Sequence, residues 1–170
     1  MTTSGTASIS RGFRQWSVVG ILLIAGLGGP VGVTQGAASP AAGKCTLTQG
    51  NFGDPNYKAN APIRSRVGTG FVLSGIVRSG IDCSSIPGAR VEFWLRGPNG
   101  QYDDAHRGTV VADGTGRYRF ESNVPAGNTG LQPHIHLRIA VPGYRTLVTI
   151  FFPGAGAAAG TLDLVLEPDV

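Results

Sequence analysis

The chain has 170 residues, of which 27 are Gly and 11 are Pro, and 14% of its residues are charged. Its hydrophobic content of 41% excludes a disordered chain, and its glycines lack the three-residue period of collagen. The net charge of +4 comes without a basic block, so nothing indicates nucleic-acid binding. Because each Gly inside a helix costs about 1 kcal/mol relative to Ala, the composition favours one domain of short strands with a short appendage.

Residues 1–38 have the order of a secretory signal peptide. Arg11 and Arg14 precede an apolar run that begins at Trp16, and small residues follow at 36–39. A retained membrane anchor is the alternative, because residues 16–33 approach the about 20 residues of a membrane span. We expect export to the periplasm or the medium, with membrane contact only if this segment is retained. Cleavage would lower the net charge from +4 to +2.

The two cysteines, Cys45 and Cys83, both lie in the part that we expect to be exported. In an oxidising compartment they can form a disulfide, which would stabilise the fold by about 3–4 kcal/mol in the chain-entropy picture. Two buried free thiols are the alternative. Neither cysteine has a Cys or His at the short spacing of a metal site.

Turn residues punctuate residues 39–67, which we predict to form an irregular N-terminal arm before a sandwich domain at 68–170. Alternating apolar positions predict strands at 71–77, 90–95, 110–111, 117–121, 134–141, 144–152 and 161–166. The turn at 113–116 is typical of a hairpin. The pattern predicts an all-β fold, a single β-sandwich of about seven to eight short antiparallel strands.

The strand at 134–141 carries the first candidate for chemistry. Its apolar residues share one face, while His134 and His136 project together from the opposite face. Two imidazoles at this spacing can reach one metal ion and suit iron, zinc or copper, although a solvated pair is the alternative. The loop after Gly100 offers further candidate ligands, each of which is also an ordinary turn residue: Tyr102, Asp103, Asp104 and His106.

From about residue 57 to 152 the chain carries a series of short motifs in a fixed order. They are Gly75-x-Val77, Pro87-Gly88-Ala89-x-Val91-Glu92-x-Trp94, Gly100-x-Tyr102, Arg107-Gly108, Asp113-x-x-Gly116-Arg117-Tyr118-x-Phe120, Pro133-His134-Ile135-His136 and Leu147-x-Thr149. This series resembles the intradiol ring-cleavage dioxygenases, the group that contains protocatechuate 3,4-dioxygenase and catechol 1,2-dioxygenase.

The resemblance implies a β-sandwich that holds a non-haem ferric ion, Fe(3+), on two tyrosinates and two histidines. The substrate would be a small aromatic diol of the catechol type, and dioxygen would be inserted between its two hydroxyl-bearing carbons to give a muconate-type diacid. The positions that match the family's ligands are Tyr102, His134 and His136. Anionic phenolate ligands stabilise the ferric state. Association into oligomers stays open.

Three positions depart from the family's site. Asn128 stands where the resemblance implies the second tyrosine, Leu131 replaces an arginine and Ile150 replaces a glutamine. A ligand, a cation and an amide are thus missing from one pocket, and such groups stabilise charge in a transition state.

Two explanations compete for these departures. In the first, another group such as Asp103, His106 or Tyr144 completes the site of an altered enzyme. His106 would give a three-histidine site, whereas a carboxylate with the two histidines favours ferrous iron. In the second, the site has decayed and the sandwich is a secreted binding module. A structural scaffold that binds neither iron nor small ligands is a third possibility.

Overall fold

A computed structural model describes residues 45–50, 53, 55–127 and 130–169, and the predicted signal segment at 1–38 lies outside the described residues. The described residues form eight strands in two four-stranded sheets, which confirms the predicted all-β sandwich. The strands are β1 (Gly70–Ser79), β2 (Arg90–Leu95), β3 (Arg107–Val111), β4 (Arg117–Asn123), β5 (Ile135–Ile139), β6 (Leu147–Phe151), β7 (Ala159–Thr161) and β8 (Leu164–Leu166).

The first sheet is organised around the long strand β1. Strand β4 pairs with it antiparallel, but β7 and β8 both pair with it in parallel, so the expectation of antiparallel strands throughout was wrong. The predicted strand at 161–166 is in fact divided between β7 and β8. The chain between them passes directly over Gly75, where a Cβ atom would overlap the carbonyl of Leu162. Glycine is therefore required in the middle of β1.

The second sheet has the order β3–β2–β5–β6, and all of its pairs are antiparallel. The predicted hairpin at 113–116 was wrong, because β3 pairs with β2 whereas β4 pairs with β1 in the other sheet. The turn itself forms, and the Gly116 N–H donates to the Asp113 carbonyl at 2.9 Å. It carries the chain from one sheet to the other, since the apolar sides of β3 and β4 must face a shared core from opposite layers.

The core lies between the two sheets and is filled from alternate strand positions. Phe93 of β2 and Phe120 of β4 stack across it with their ring centroids 3.9 Å apart. The fully buried apolar side chains include Phe71, Leu73, Val77, Val91, Leu95, Ile135, Leu137, Ile139, Leu164 and Leu166. The apolar face predicted for β5 is thus confirmed as a core face.

The chain before β1 crosses both sheets as an irregular segment. Ile63 forms an isolated bridge to Thr109 of β3, and Arg66 forms another to Glu121 of β4. Arg66 and Glu121 also form an ion pair at 2.7 Å. These contacts fasten the segment to both sheets.

The predicted disulfide is present and joins Cys45 to Cys83 across 38 residues. The described part of the chain contains no helix with the length and apolar character that crossing a membrane requires.

Candidate metal centre

His136 lies in β5 and His134 directly precedes that strand, and both side chains project from the sheet face that points away from the core. Register pairs His136 with Trp94 of β2 on one side and with Ile150 of β6 on the other. The imidazole of His136 stacks on the Trp94 ring, with the ring centroids 4.9 Å apart and the planes 3° from parallel. This stacking fixes the orientation of the His136 ring.

The histidines are buried although they lie opposite the core. His136 is 2% exposed and His134 is 7% exposed, so the solvated alternative is wrong. The segment before β1 packs on Trp94, which stacks on His136: the Trp94 indole N–H donates to the Pro55 carbonyl at 3.0 Å, and the Tyr57 and Trp94 ring centroids are 5.4 Å apart. A second layer of side chains therefore shields this face of the sheet.

Three donor atoms converge from β5 and from the loop that follows β2. The Tyr102 hydroxyl lies 3.0 Å from His134 Nε2 and 3.4 Å from His136 Nε2, and the two Nε2 atoms are 3.1 Å apart. For ligand bonds of about 2.1 Å, donors 90° apart are about 3.0 Å from each other and donors at the tetrahedral angle about 3.4 Å. The triangle fits one side of the coordination sphere of a single metal ion.

A hydrogen bond determines which ring nitrogen of His134 carries the proton. Its Nδ1 lies 2.7 Å from the Gln132 carbonyl, which can only accept, so we assign the proton to Nδ1. Nε2 then carries a lone pair in the neutral ring. A metal-binding histidine commonly donates its other N–H to a backbone carbonyl in this way.

The environment keeps the His136 ring and the Tyr102 hydroxyl uncharged. Burial, and then the neighbouring His134, lowers the pKa of His136 to about 4. Burial raises the pKa of the Tyr102 hydroxyl, and the positive charge of Arg96 opposes that rise. His136 Nδ1 is buried and has no hydrogen-bond partner among the described residues.

The loop that carries Tyr102 is held by the buried side chain of Arg107. This guanidinium donates to the carbonyls of Tyr102 at 3.3 Å, of Asp103 at 3.2 Å and of Asn56 at 3.1 Å. One side chain thereby ties the tyrosine loop to the covering segment.

The structure does not bring the proposed substitute ligands to the triangle. Asp103 and His106 pair with each other, His106 Nδ1 donating to Asp103 Oδ1 at 2.6 Å, and this hydrogen bond lowers the pKa of Asp103. Asp104 forms an ion pair with Lys58 at the surface. Among the described residues, no three His, Cys, Asp or Glu side chains form a metal-binding group. Three-histidine and two-histidine, one-carboxylate sites are therefore not formed there.

The triangle lines a cavity of about 510 Å³. The residues around it are Pro55, Asn56, Arg96, Gly100, Gln101, Tyr102, Leu131, His134, His136, Ile150 and Phe152. Two of the predicted departures, Leu131 and Ile150, are thus in the cavity wall, and the third, Asn128, lies outside the described residues. Tyr144 does not line the cavity and forms a bridge to Pro168 instead.

Sequence reasoning missed Arg96. Alternation along β2 puts Glu92 and Trp94 on the face opposite its core residues, and one more step of two residues reaches Arg96, beside His134. Continued alternation past the strand end was the available signal. It was hidden because the strand pattern gives way there to a Gly-Pro-Asn-Gly turn.

The comparisons with known proteins agree with this fold. No family model matches the chain. A 6-chlorohydroxyquinol 1,2-dioxygenase of Cupriavidus pinatubonensis is 32% identical over 127 residues, which are 59% of this chain and 46% of that protein. The chain spans less than half the length of the curated relatives it matches.

Two solved structures are matched by this chain over nearly their whole length. The dioxygenase domain of a dioxygenase carbohydrate-binding protein fusion from Streptomyces sp. SirexAA-E gives a TM-score of 0.63 at 25% identity, covering 72% of this chain and 99% of that domain. An intradiol ring-cleavage dioxygenase from Tetranychus urticae gives 0.65 at 19% identity, covering 74% of this chain and 97% of that one.

Fold and ordered motifs agree on a β-sandwich like that of a solved dioxygenase domain. The curated relative adds a similarity in sequence to a 1,2-dioxygenase. The chain is thus similar in fold and in sequence to the intradiol dioxygenases, the family that its motifs resemble.

Proposed function

We propose that this protein is an exported, iron-dependent intradiol dioxygenase that cleaves the ring of a catechol-type aromatic diol. The observation that carries the proposal is the convergence of Tyr102, His134 and His136 within 3.4 Å of one another in a cavity. A phenolate oxygen and two imidazole nitrogens form a donor set that suits iron and, through the anionic oxygen, favours its ferric state.

The three side chains would hold the ion, each in a role that its surroundings support. Tyr102 would bind through its phenolate oxygen after losing its proton. His134 is oriented by its Nδ1–H bond to Gln132, and His136 by its stacking on Trp94. When bound, ferric iron supplies a Lewis acid that holds the diol by both oxygens and makes its ring reactive towards dioxygen, whose two atoms both enter the diacid product.

The cavity walls would position the ring of the substrate. Leu131, Ile150 and Phe152 supply apolar surface beside the histidines, on which a planar aromatic ring can pack. Burial of that surface also excludes water from the reacting carbons. The relatives support a diol substrate, since one of them is a 6-chlorohydroxyquinol 1,2-dioxygenase and another is a chlorocatechol 1,2-dioxygenase.

The test is metal content and colour. The purified exported part, refolded or reconstituted with ferric salt, should hold about one iron per chain and show a visible band from tyrosinate-to-iron charge transfer. Tyr102→Phe should abolish that band. Tyr118→Phe, whose hydroxyl instead donates to Leu162 in the first sheet, is the matched control and should keep it. A colourless protein with less than stoichiometric iron would refute the enzyme proposal.

A secreted binding module is the second candidate, and Leu131 and Ile150 favour it. At these two positions the cavity wall is apolar, whereas the family resemblance implies a cation and an amide there. This candidate predicts that aromatic diols bind without oxygen consumption. An oxygen electrode with catechol and hydroxyquinol separates the two, because ring cleavage consumes one dioxygen per diol.

Export is part of the proposal and has its own measurement. The intact mass of the protein made from the full chain in a secreting host should correspond to loss of about the first 38 residues. A mature protein that still begins at Met1 would contradict cleavage.

A further inference from the structure

A chain of ring contacts leads from the candidate metal centre towards the protein surface. The His136 imidazole, which carries one of the three donor atoms, stacks on the Trp94 indole with the ring centroids 4.9 Å apart. The Trp94 ring in turn lies 5.4 Å from the Tyr57 ring, measured between centroids. Trp94 is buried and Tyr57 is half-buried, so the chain of rings begins inside the protein and ends where solvent reaches it.

Trp94 is the readily oxidised side chain that lies behind the ligands. Indole and phenol rings lose an electron more easily than any other side chains except thiols and thioethers. The described residues contain no free cysteine, and the only methionine of the chain is Met1. Apart from the ligand Tyr102, Trp94 is therefore the oxidisable group that the described ring contacts bring next to the donor atoms.

The hydrogen bonds of the two outer rings differ in what they allow a proton to do. The Trp94 indole N–H donates to the Pro55 carbonyl at 3.0 Å, and a carbonyl is too weak a base to take that proton. The Tyr57 hydroxyl donates to the Glu92 carboxylate and lies 3.2 and 3.0 Å from its two oxygens. A carboxylate within hydrogen-bond reach can accept the phenolic proton. Trp94 is thus suited to pass an electron on, and Tyr57 is suited to end the path.

Arg138 reinforces the coupling between electron and proton at Tyr57. Its Nη1 donates to Glu92 Oε2 at 2.8 Å, and its Cζ lies 5.0 Å from the centroid of the Tyr57 ring. The ion pair holds the carboxylate at the phenol, and the positive charge over the ring opposes a second positive charge on it. Loss of an electron from Tyr57 therefore requires loss of its proton to Glu92.

We propose that Trp94 and Tyr57 form an electron-transfer path that carries oxidising equivalents from the metal centre to the surface and so spares the ligands. The oxidant is hydrogen peroxide in the cavity. In each passage Trp94 loses one electron inward, and Tyr57 then restores it by giving up one electron to the indole and a proton to Glu92.

The electrons and protons of the path balance. Two passages, with two protons from solvent, reduce one hydrogen peroxide to two waters. A reductant in solution, such as ascorbate, returns a hydrogen atom to each Tyr57 radical, and Glu92 releases its proton to solvent. The step between the two rings needs no metal, whereas its use at the metal centre rests on the proposed function.

Flash photolysis of the metal-free protein tests the step between the two rings. In the full chain with Trp16→Phe, Trp94 is the only tryptophan. A laser pulse at a wavelength that only tryptophan absorbs ejects an electron from it to dissolved dioxygen. The absorbance of the indole radical should then give way to that of a phenoxyl radical. Tyr57→Phe should abolish the phenoxyl signal and prolong the indole radical, whereas Tyr118→Phe, whose ring lies in the core, is the matched control and should change neither.

Glu92→Gln tests the proton acceptor separately from the ring contact. The amide keeps the size of the side chain but cannot take the phenolic proton, so the transfer should slow by about a hundredfold, as is typical when a positioned base is lost. An indole radical that decays equally fast in Tyr57→Phe would overturn the proposal. Equal rates in Glu92→Gln would also overturn it, because the carboxylate would then take no part.

The iron-loaded protein tests whether the path serves the metal centre. With hydrogen peroxide and no diol present, it should give a tyrosyl radical in EPR spectra that Tyr57→Phe removes. Peptide mass spectrometry should find more oxidation of Tyr102 and His136 in Tyr57→Phe than in the unsubstituted protein or in Tyr118→Phe. Equal damage to the ligands in all three proteins would overturn the protective role. A protein that takes up no iron would refute the proposed function, while flash photolysis would still decide the transfer between Trp94 and Tyr57.

Discussion

Replacing Arg107 by methionine tests whether the tyrosine loop depends on the buried guanidinium that holds it. Methionine keeps an unbranched apolar side chain but removes every donor. The carbonyls of Tyr102, Asp103 and Asn56 would each lose a hydrogen bond of 3.1–3.3 Å. Tyr102 would lose the contact that fixes its backbone relative to the two histidines.

The expected loss of stability follows from those contacts. Hydrogen bonds contribute about 0.5–1.5 kcal/mol each, and the lengths observed at Arg107 place three of them near 3 kcal/mol in total. The ion pair with Asp104 adds little, because Asp104 is largely exposed and such pairs contribute about 0–1 kcal/mol. Relief of the buried charge offsets part of the loss. We expect Arg107→Met to lower the free energy of unfolding by about 2–3 kcal/mol.

The assay is guanidinium-induced unfolding of Arg107→Met, followed by a chelator competition for bound iron. Loss of a group that orients a ligand typically lowers metal affinity by about tenfold or more. Arg119→Met, which removes an exposed arginine, should change neither quantity. An unchanged unfolding free energy would refute the hydrogen-bond reasoning. A destabilised variant with normal iron affinity would show that Arg107 supports the fold without positioning Tyr102.

Two further predictions concern the scaffold. Burial, and then the negative charge of Asp163, raises the pKa of Tyr118, whose hydroxyl donates to the Leu162 carbonyl at 2.7 Å. The fold favours the protonated form, so the stabilisation is complete below the ordinary pKa of about 10 and is lost as pH rises above it. Tyr118→Phe should lose about 1 kcal/mol at pH 8 but show a flatter decline in unfolding free energy between pH 10 and 11, and parallel curves would contradict this. Gly97→Ala should cost about 1–3 kcal/mol by thermal unfolding, since its Cβ would overlap the His106 ring, whereas Gly114→Ala has open space and should be nearly neutral.

The strands that face the core could be predicted from the sequence because burial on one side leaves a period of two. The bounds predicted for β2 are those observed, and the prediction for β5 differs only at its ends. The sequence pattern carries no comparable signal for which strands pair with each other. The turn at 113–116 has the residues and the internal hydrogen bond of a tight hairpin turn, yet it connects strands of different sheets. Local turn chemistry fixes the reversal of the chain and leaves the choice of sheet to core packing.

The histidine pair illustrates the same division between local pattern and long-range packing. Alternation correctly placed His134 and His136 opposite the apolar face. It could not predict their burial, which involves residues far away in sequence: the Pro55 carbonyl and the Tyr57 ring contact Trp94, and Trp94 stacks on His136. Asp103 and His106 were reasonable ligand candidates as types, but three residues of separation let them satisfy each other within one turn.

The composition of the cavity follows from rows of side chains that run across the second sheet. Trp94, His136 and Ile150 form one row through the register of β2, β5 and β6. Comparing the sequence with the family position by position identifies Leu131 and Ile150 as losses of polar groups. Following a row across strands instead finds a positive charge, because Arg96 reaches the same cavity from β2. A site whose groups come from several segments can therefore lack a cation at one position and present one from another without any change in backbone architecture.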